Sequence, residues 1–149
     1  MNRIIGDKSV GLFSIAFQVT NHEDVIKAKN KLLAKDKVRS LTIRGLVDSG
    51  AAKLVLPKSV VKQLGLPLAS KVKVRYADGR TRTRDTVQGV LVEIQGRQDI
   101  FSAIVEPTRS EALIGAIILE DLDFLIDCLH QRLVPRDPRF IISPIEKLE

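Results

Sequence analysis

The sequence predicts a mainly β domain with two or three short helices, and three observations carry that prediction. Strand-length runs with apolar alternation recur from residue 11 to residue 134, most of them closed by Gly, Pro or Asn. The helical patterns between them are short, and one is bracketed by its own start and stop signals. The chain has 149 residues, 44% hydrophobic and 28% charged, with no internal repeat, which suits one compact core.

Taken in order, Gly11–Val19 has strand composition and runs into Thr20-Asn21, where Asn21 can cap a helix. Asp24 stands three residues on, and Val25, Ile26, Ala28, Leu32 and Leu33 fall roughly on one helical face. Lys37–Arg44 alternates as a strand and leads into Gly45-Leu46-Val47-Asp48-Ser49-Gly50-Ala51. Lys53–Leu56 is strand-like and halted by Pro57, which suits the first position of a helix over Lys58–Leu64. In that helix Val60, Val61 and Leu64 face inward and Gly65 is the stop. Val72–Tyr76 and Thr81–Arg84 flank Asp78-Gly79, a dipeptide suited to a tight hairpin turn. Val87–Ile94 and Asp99–Val105 are strands joined at Gly96. Leu113–Leu122 is apolar and then helical, and Phe124–Asp127 with Gln131–Val134 forms a closing hairpin. The domain is expected over residues 1–135, followed by a tail over 136–149 that has little order and is rich in proline. Leu148-Glu149 has the look of a vector scar.

Composition excludes several classes. The single Cys128 rules out an internal disulfide framework and fits a reducing, cytoplasmic compartment. One Cys and two His, His22 and His130, cannot build an all-Cys/His zinc site, so neither metal nor cofactor is expected. Met1-Asn2-Arg3 leads through Ile4-Ile5 directly into Gly6-Asp7-Lys8, which lacks the apolar core of a secretory leader. Ala112–Leu119 is far shorter than the ~20 residues of a membrane span, so no membrane partner is expected. The net charge of +6 permits acidic partners without requiring them. Nucleic acid is disfavoured, because no Trp, one Tyr and five Phe leave little for base stacking and no helix-turn-helix or finger pattern is present. Cys128 and His130 share a strand face but lack a third orienting residue, which reads as a buried thiol beside a surface imidazole. Glu120, Asp121, Asp123 and Asp127 do not have the spacing of a calcium loop and read as a polar helix face followed by a turn.

The most informative stretch is Leu46–Ala51. A carboxylate that follows an apolar strand and precedes a small hydroxyl residue and a glycine is presented at a tight turn. Gly50 allows close backbone approach and a positive φ, and the Ser49 hydroxyl can fix the turn. Asp-Ser-Gly alone also makes an ordinary Asx turn.

Four features together resemble the retropepsin-like aspartic proteases, the family of retroviral proteases and their single-domain bacterial relatives. Leu46-Val47-Asp48-Ser49-Gly50-Ala51 is similar to the family's active-site motif, with Ser where many members have Thr. Leu56–Leu66 looks like the short helix that follows it. Tyr76-Ala77-Asp78-Gly79 sits where the family has its flap, a hairpin that closes over substrate. Ala112-Leu113-Ile114-Gly115, then a helix and Phe124–Asp127, resembles the segment that packs behind the active-site loop. The likeness runs roughly from Gly11 to Pro135. It implies a closed β-barrel, the half-domain of an acid protease, with Asp48 catalytic and Ser49, Gly50 and Ala51 in support. It also implies a substrate-binding role for Tyr76, Ala77, Asp78 and Gly79, and places Ile114 and Gly115 behind the site.

Two carboxylates sharing one proton are needed for this chemistry, and the chain has one such motif. The resemblance therefore implies a homodimer in which two Asp48 side chains hydrolyse a peptide or protein substrate. A non-catalytic module of the same fold, binding an extended peptide or a partner protein, is the alternative. Arg75, Arg80, Arg82 and Arg84 can favour acidic substrates, but a solvated hairpin whose charges discourage edge pairing is the simpler expectation. Two departures from retroviral members stand out: Glu23–Lys37 is longer than their corresponding hairpin, and the tail after Pro135 is rich in proline.

Overall fold

A computed structural model of the chain describes residues 4–5 and 13–146. The expectations for Gly11-Leu12, for Met1-Asn2-Arg3 and Gly6-Asp7-Lys8 on either side of Ile4-Ile5, and for Leu148-Glu149 fall outside those residues. The elements are β1 (Ile4–Ile5), β2 (Phe13–Asn21), α1 (His22–Lys29), β3 (Ser40–Val47), β4 (Leu54–Pro57), α2 (Lys58–Leu64) and β5 (Leu68–Arg75). They continue with β6 (Thr81–Ile94), β7 (Arg97–Glu106), β8 (Ala112–Ile114), α3 (Ala116–Asp121), β9 (Phe124–Asp127) and β10 (Arg132–Pro135). The expected class, mainly β with short helices, is what forms.

Six strands close into a barrel in the order β2-β3-β8-β4-β7-β6, because β6 pairs back onto β2 from Gln18↔Glu93 to Asn21↔Val90. β5 lies outside the ring as an edge strand beside β6. A separate three-stranded sheet joins β10, β9 and β1, with β1 parallel to β9. Alternation builds the core: Phe13, Phe17 and Val19 of β2 and Val47 of β3 point inward, as do Leu54 and Leu56 of β4 and Ala103 and Val105 of β7. Val60, Val61 and Leu64 of α2 cover one end, as the sequence predicts. Among the described residues no helix is long and apolar enough to cross a membrane.

Several boundaries differ from expectation. Thr81–Arg84 and Val87–Ile94 are one continuous strand of 14 residues. Its alternation is broken by a bulge between Val87 and Val90 at Gly89 (φ +70°), which turns both valines inward although they are three apart. β5 starts at Leu68 rather than Val72, because Leu68 registers with Val87 across the hairpin. Pro57 belongs to β4 and precedes the first turn of α2. α1 begins as predicted, with the Asn21 side chain accepting from Asp24 N–H, but it ends at Lys29. Lys31 turns the chain at φ +59°, so Leu32 lies beyond the helix and is 76% exposed. The buried residue of α1 is Asp24, whose carboxylate takes the Arg39 guanidinium at 2.8 and 3.0 Å and its backbone N–H at 3.0 Å.

The acidic cluster is a second correction. Glu120 and Asp121 are exposed at the end of α3, but Asp123 and Asp127 are buried. Asp123 accepts from Arg136 Nε at 2.8 Å and from Ile142 N–H at 3.0 Å. Arg97 reaches the carbonyls of Asp137 and Phe140. Residues 136–146 therefore carry no helix or strand yet are tied to the barrel by hydrogen bonds. Asp127 accepts from His130 Nδ1 at 2.8 Å and Arg132 Nε at 3.0 Å, which leaves the imidazole engaged with a carboxylate rather than with the half-buried Cys128 thiol.

Burial pushes the Asp127 carboxyl up, but the bonds from His130 and Arg132 outweigh it and hold the group at about 2, against an ordinary 3.8. A depressed folded value means that Asp127 contributes stability above about pH 4 and loses it as the pH falls toward 2. Asp127→Asn should unfold at lower denaturant than wild type at pH 6, with the gap closing by pH 2; urea melts across that range check it.

Candidate active site

Parallel pairing of β3 with β8 carries Asp48 to its position. Leu46↔Leu113 and Val47↔Ile114 are in register, and Asp48 N–H donates to the Ile114 carbonyl at 3.1 Å. The β8 strand is shared on its other side by β4, antiparallel through Leu54↔Ile114 and Val55↔Leu113. Residues 48–53 thus form a loop strapped over the end of a three-residue strand.

Within the loop Asp48 and Ser49 are half-buried and Gly50 is exposed. Gly50 N–H donates to Asp48 Oδ1 at 2.9 Å and Ala51 N–H to the Asp48 carbonyl at 3.2 Å. The turn is therefore an Asx turn held by the carboxylate itself, and among the described residues no hydrogen bond from the Ser49 hydroxyl supports it. Gly50 is not among the positive-φ glycines, so the left-handed turn expected there does not occur. Ala51 anchors the loop through its carbonyl, which accepts Ala116 N–H at 2.7 Å, and Ala52 accepts Ile117 N–H at 3.0 Å.

Gly115 makes this strap possible. A Cβ there would stand 2.4 Å from the Lys53 carbonyl oxygen and 2.7 Å from that of Ala51. Its backbone is ordinary extended chain (φ −86°, ψ −177°), so the requirement is space rather than conformation. Ile114 and Gly115 are both buried and lie against the Asp48 loop.

Facing the loop across a cleft of about 680 Å³ is the β5–β6 hairpin. Its turn is Ala77-Asp78-Gly79, three residues rather than two. Tyr76 N–H donates to Arg80 O and Gly79 N–H to Tyr76 O, both at 2.9 Å, with Gly79 at φ +87°. Asp78 accepts the Arg80 N–H at 3.0 Å and its Nε at 2.6 Å; both bonds hold the carboxyl below its usual range. Ala77, Asp78 and Gly79 are exposed, whereas Tyr76 is half-buried.

The hairpin is not solvated throughout: Tyr76 OH donates to Glu106 Oε2 at 2.5 Å while Arg84 Nε donates to Glu106 Oε1 at 2.7 Å. The Arg80 and Arg84 guanidiniums stand 5.8 and 6.0 Å from the Tyr76 ring centre. Glu106 was not signalled by any motif; its one cue is an acid at the end of an apolar strand, just before Pro107. The bond to Glu106, reinforced by burial, holds the Tyr76 phenol above its ordinary 10. The floor of the cleft is apolar: Val55, Ile104 and Leu113 lie on the outer faces of β4, β7 and β8. Among the described residues no three His, Cys, Asp or Glu side chains converge to hold a metal ion.

A family model described as aspartyl protease matches residues 35–117, from before β3 to just past Gly115. The chain belongs to the aspartyl protease family. Among solved structures, it is similar to the EIAV protease complexed with the inhibitor HBY-793, at a TM-score of 0.51 and 16% identity over 79% of this chain and 94% of that one. No curated protein matches it. The fold of this aspartyl protease family member is thus retropepsin-like, as the Asp48 and Gly115 motifs imply.

Two outcomes follow for this member of the family. Gly115→Ala forces a methyl against two backbone carbonyls and should cost about 1–3 kcal/mol, read as a lowered denaturation midpoint. Since Tyr76 is the single tyrosine, ultraviolet titration reads it alone. Its midpoint should lie above 10 in the wild type and drop toward 10 in Glu106→Gln.

Proposed function

We propose that this protein is an aspartic endopeptidase that works as a homodimer, with one Asp48 from each chain sharing a proton and a water molecule. The observation that carries the reading is the placement of the Asp48-Ser49-Gly50 turn, strapped by Gly115 beside a cleft faced by the β5–β6 hairpin. One chain supplies one such carboxylate, and the reaction needs two. Like charges ~3 Å apart cannot both ionise, so the pair holds a single proton and titrates as a unit. The ionised member takes a proton from water as it attacks the scissile carbonyl, while the protonated member donates to the carbonyl oxygen. The leaving amine then receives a proton as the C–N bond breaks. Ser49 and Gly50 support the approach of the two loops. Tyr76, Ala77, Asp78 and Gly79 form the flap, pairing with an extended peptide as added strand. The single, half-buried Cys128 supports a reducing, cytoplasmic setting.

Asp48→Asn preserves an oxygen that accepts Gly50 N–H, so folding should be unchanged while cleavage of a peptide library falls by about 10³-fold or more. Wild-type cleavage should be blocked by a statine-type transition-state mimic, and activity per chain should fall on dilution as dimers separate. Undiminished cleavage by Asp48→Asn would overturn the reading. Peptide binding without cleavage at any pH from about 4 to 8, a span covering carboxylate and histidine titration, would assign the fold to a binding module instead.

A further inference from the structure

Seven of the seventeen residues lining the cleft are Lys or Arg, against 24 of 149 in the chain, and one is acidic. That acid, Glu106, is already committed to Tyr76 and Arg84. Arg80 is engaged with Asp78 at the hairpin tip. Lys53, Lys73, Arg75, Arg82 and Arg109 take part in none of the ion pairs among the described residues, so no carboxylate there is bonded to them.

Their arrangement follows from the pleat. Val74 registers with Arg82 and Val72 with Arg84, so both arginines share the face that carries Ile104 and Glu106 through Thr86↔Ile104. Lys73 and Arg75 alternate to the opposite face, but they belong to β5, the edge strand whose outer side pairs with nothing in the sheet. Lys53, from the Asp48 loop, and Arg109, whose Nε donates to the Glu111 carbonyl at 2.9 Å, add charge from other elements lining the cleft. A strand-like ligand alongside β5 would have its main chain paired, one apolar side chain on the Val55–Ile104–Leu113 floor, and cations above and below.

We infer that this cleft selects an acidic peptide: an extended segment with an apolar residue at its centre and Asp or Glu on its flanks. The inference rests on the cleft beside Asp48 being the substrate site, and it takes up the acidic-substrate reading of Arg75, Arg80, Arg82 and Arg84 in place of the simpler one, a solvated hairpin whose charges discourage edge pairing. A peptide is favoured over a nucleic acid because the floor is aliphatic and the one tyrosine has Arg80 and Arg84 over its ring, leaving no stacking platform.

The test uses two fluorescent peptides with the same apolar centre, one flanked by Asp and Glu and one by Asn and Gln. Binding is measured by anisotropy to Asp48→Asn protein, and cleavage separately with wild type. The acidic peptide should bind about tenfold more tightly at about 0.01 M salt, with the preference gone at about 1 M, where the screening length is about 3 Å. Arg82→Glu combined with Arg109→Glu should erase the preference, and Arg82→Lys should keep it. Equal affinities at low salt overturn the inference even if both peptides are cut, which leaves the endopeptidase reading standing. An acidic preference in binding with no cleavage upholds the inference and sinks the endopeptidase reading. Displacement of the acidic peptide by a single-stranded oligonucleotide of equal charge, at lower concentration, would assign the cleft to nucleic acid and overturn the inference.

Discussion

Around Gly115 two stretches of chain more than fifty residues apart in sequence meet backbone to backbone, with no room for a single methyl between them. The rest of the molecule is arranged about that contact. β8 has three residues, too few to hold two strands by pairing alone, and it is the adjoining Ala116 and Ile117 N–H groups that complete the grip on Ala51 and Ala52. Parallel to β3 and antiparallel to β4, this short segment converts an Asp-bearing loop into a fixed corner of the barrel. The carboxylate at that corner keeps one oxygen on Gly50 N–H, and its position is set by main chain rather than by side-chain packing.

Outside the corner, buried polar groups tie the peripheral elements to the barrel. Asn21 accepts from Asp24 N–H at the start of α1 while its amide donates to the Leu64 carbonyl at the end of α2, at 2.7 Å, so one buried side chain joins two helix ends. Asp24 fixes Arg39 just before β3, Asp123 gathers Arg136 and the chain beyond it, and Asp127 orders the β9–β10 turn. Among the described residues no buried side-chain nitrogen or oxygen lacks a partner. Each of these contacts costs desolvation that its hydrogen bonds offset, and together they fix how the extra segments sit without enlarging the apolar core.

Local signals proved readable where one residue sets the backbone. Asn21 announces a helix start, Pro57 and Gly65 bracket α2, and the alternation of Lys37–Arg44 points to β3, although Lys35–Lys37 forms a 3-10 turn and the strand itself runs Ser40–Val47. The Asp48 turn and the Gly115 segment were legible because their residue types and order match a known pattern. What stayed hidden depends on register and long-range pairing. Nothing local in Thr81–Ile94 says that a bulge at Gly89 joins two strand patterns into one. Asp123 and Asp127 look like surface acids until the arginines that neutralise them, Arg136 and Arg132, fold back beside them. Glu106 is similar: its partners Tyr76 and Arg84 lie at least 22 positions away, and the cleft they define exists once β6 and β7 pair.

The long β6 strand has a consequence for how this cleft can change over time. Because faces alternate along each strand, the outward side of the hairpin and the inward side of the barrel wall are locked in phase, and that phase shifts at two irregularities, between Leu68 and Lys71 in β5 and between Val87 and Val90 in β6. Deleting one residue between Thr83 and Val87 would put Thr81 and Thr83 on the face that Arg82 and Arg84 now occupy, and would turn Lys73 and Arg75 over with them. Changes in pairs at the hairpin tip keep the phase and alter reach alone. Ligand preference in such a scaffold is therefore able to drift smoothly by lengthening the arm in even steps, and to jump by a single odd indel.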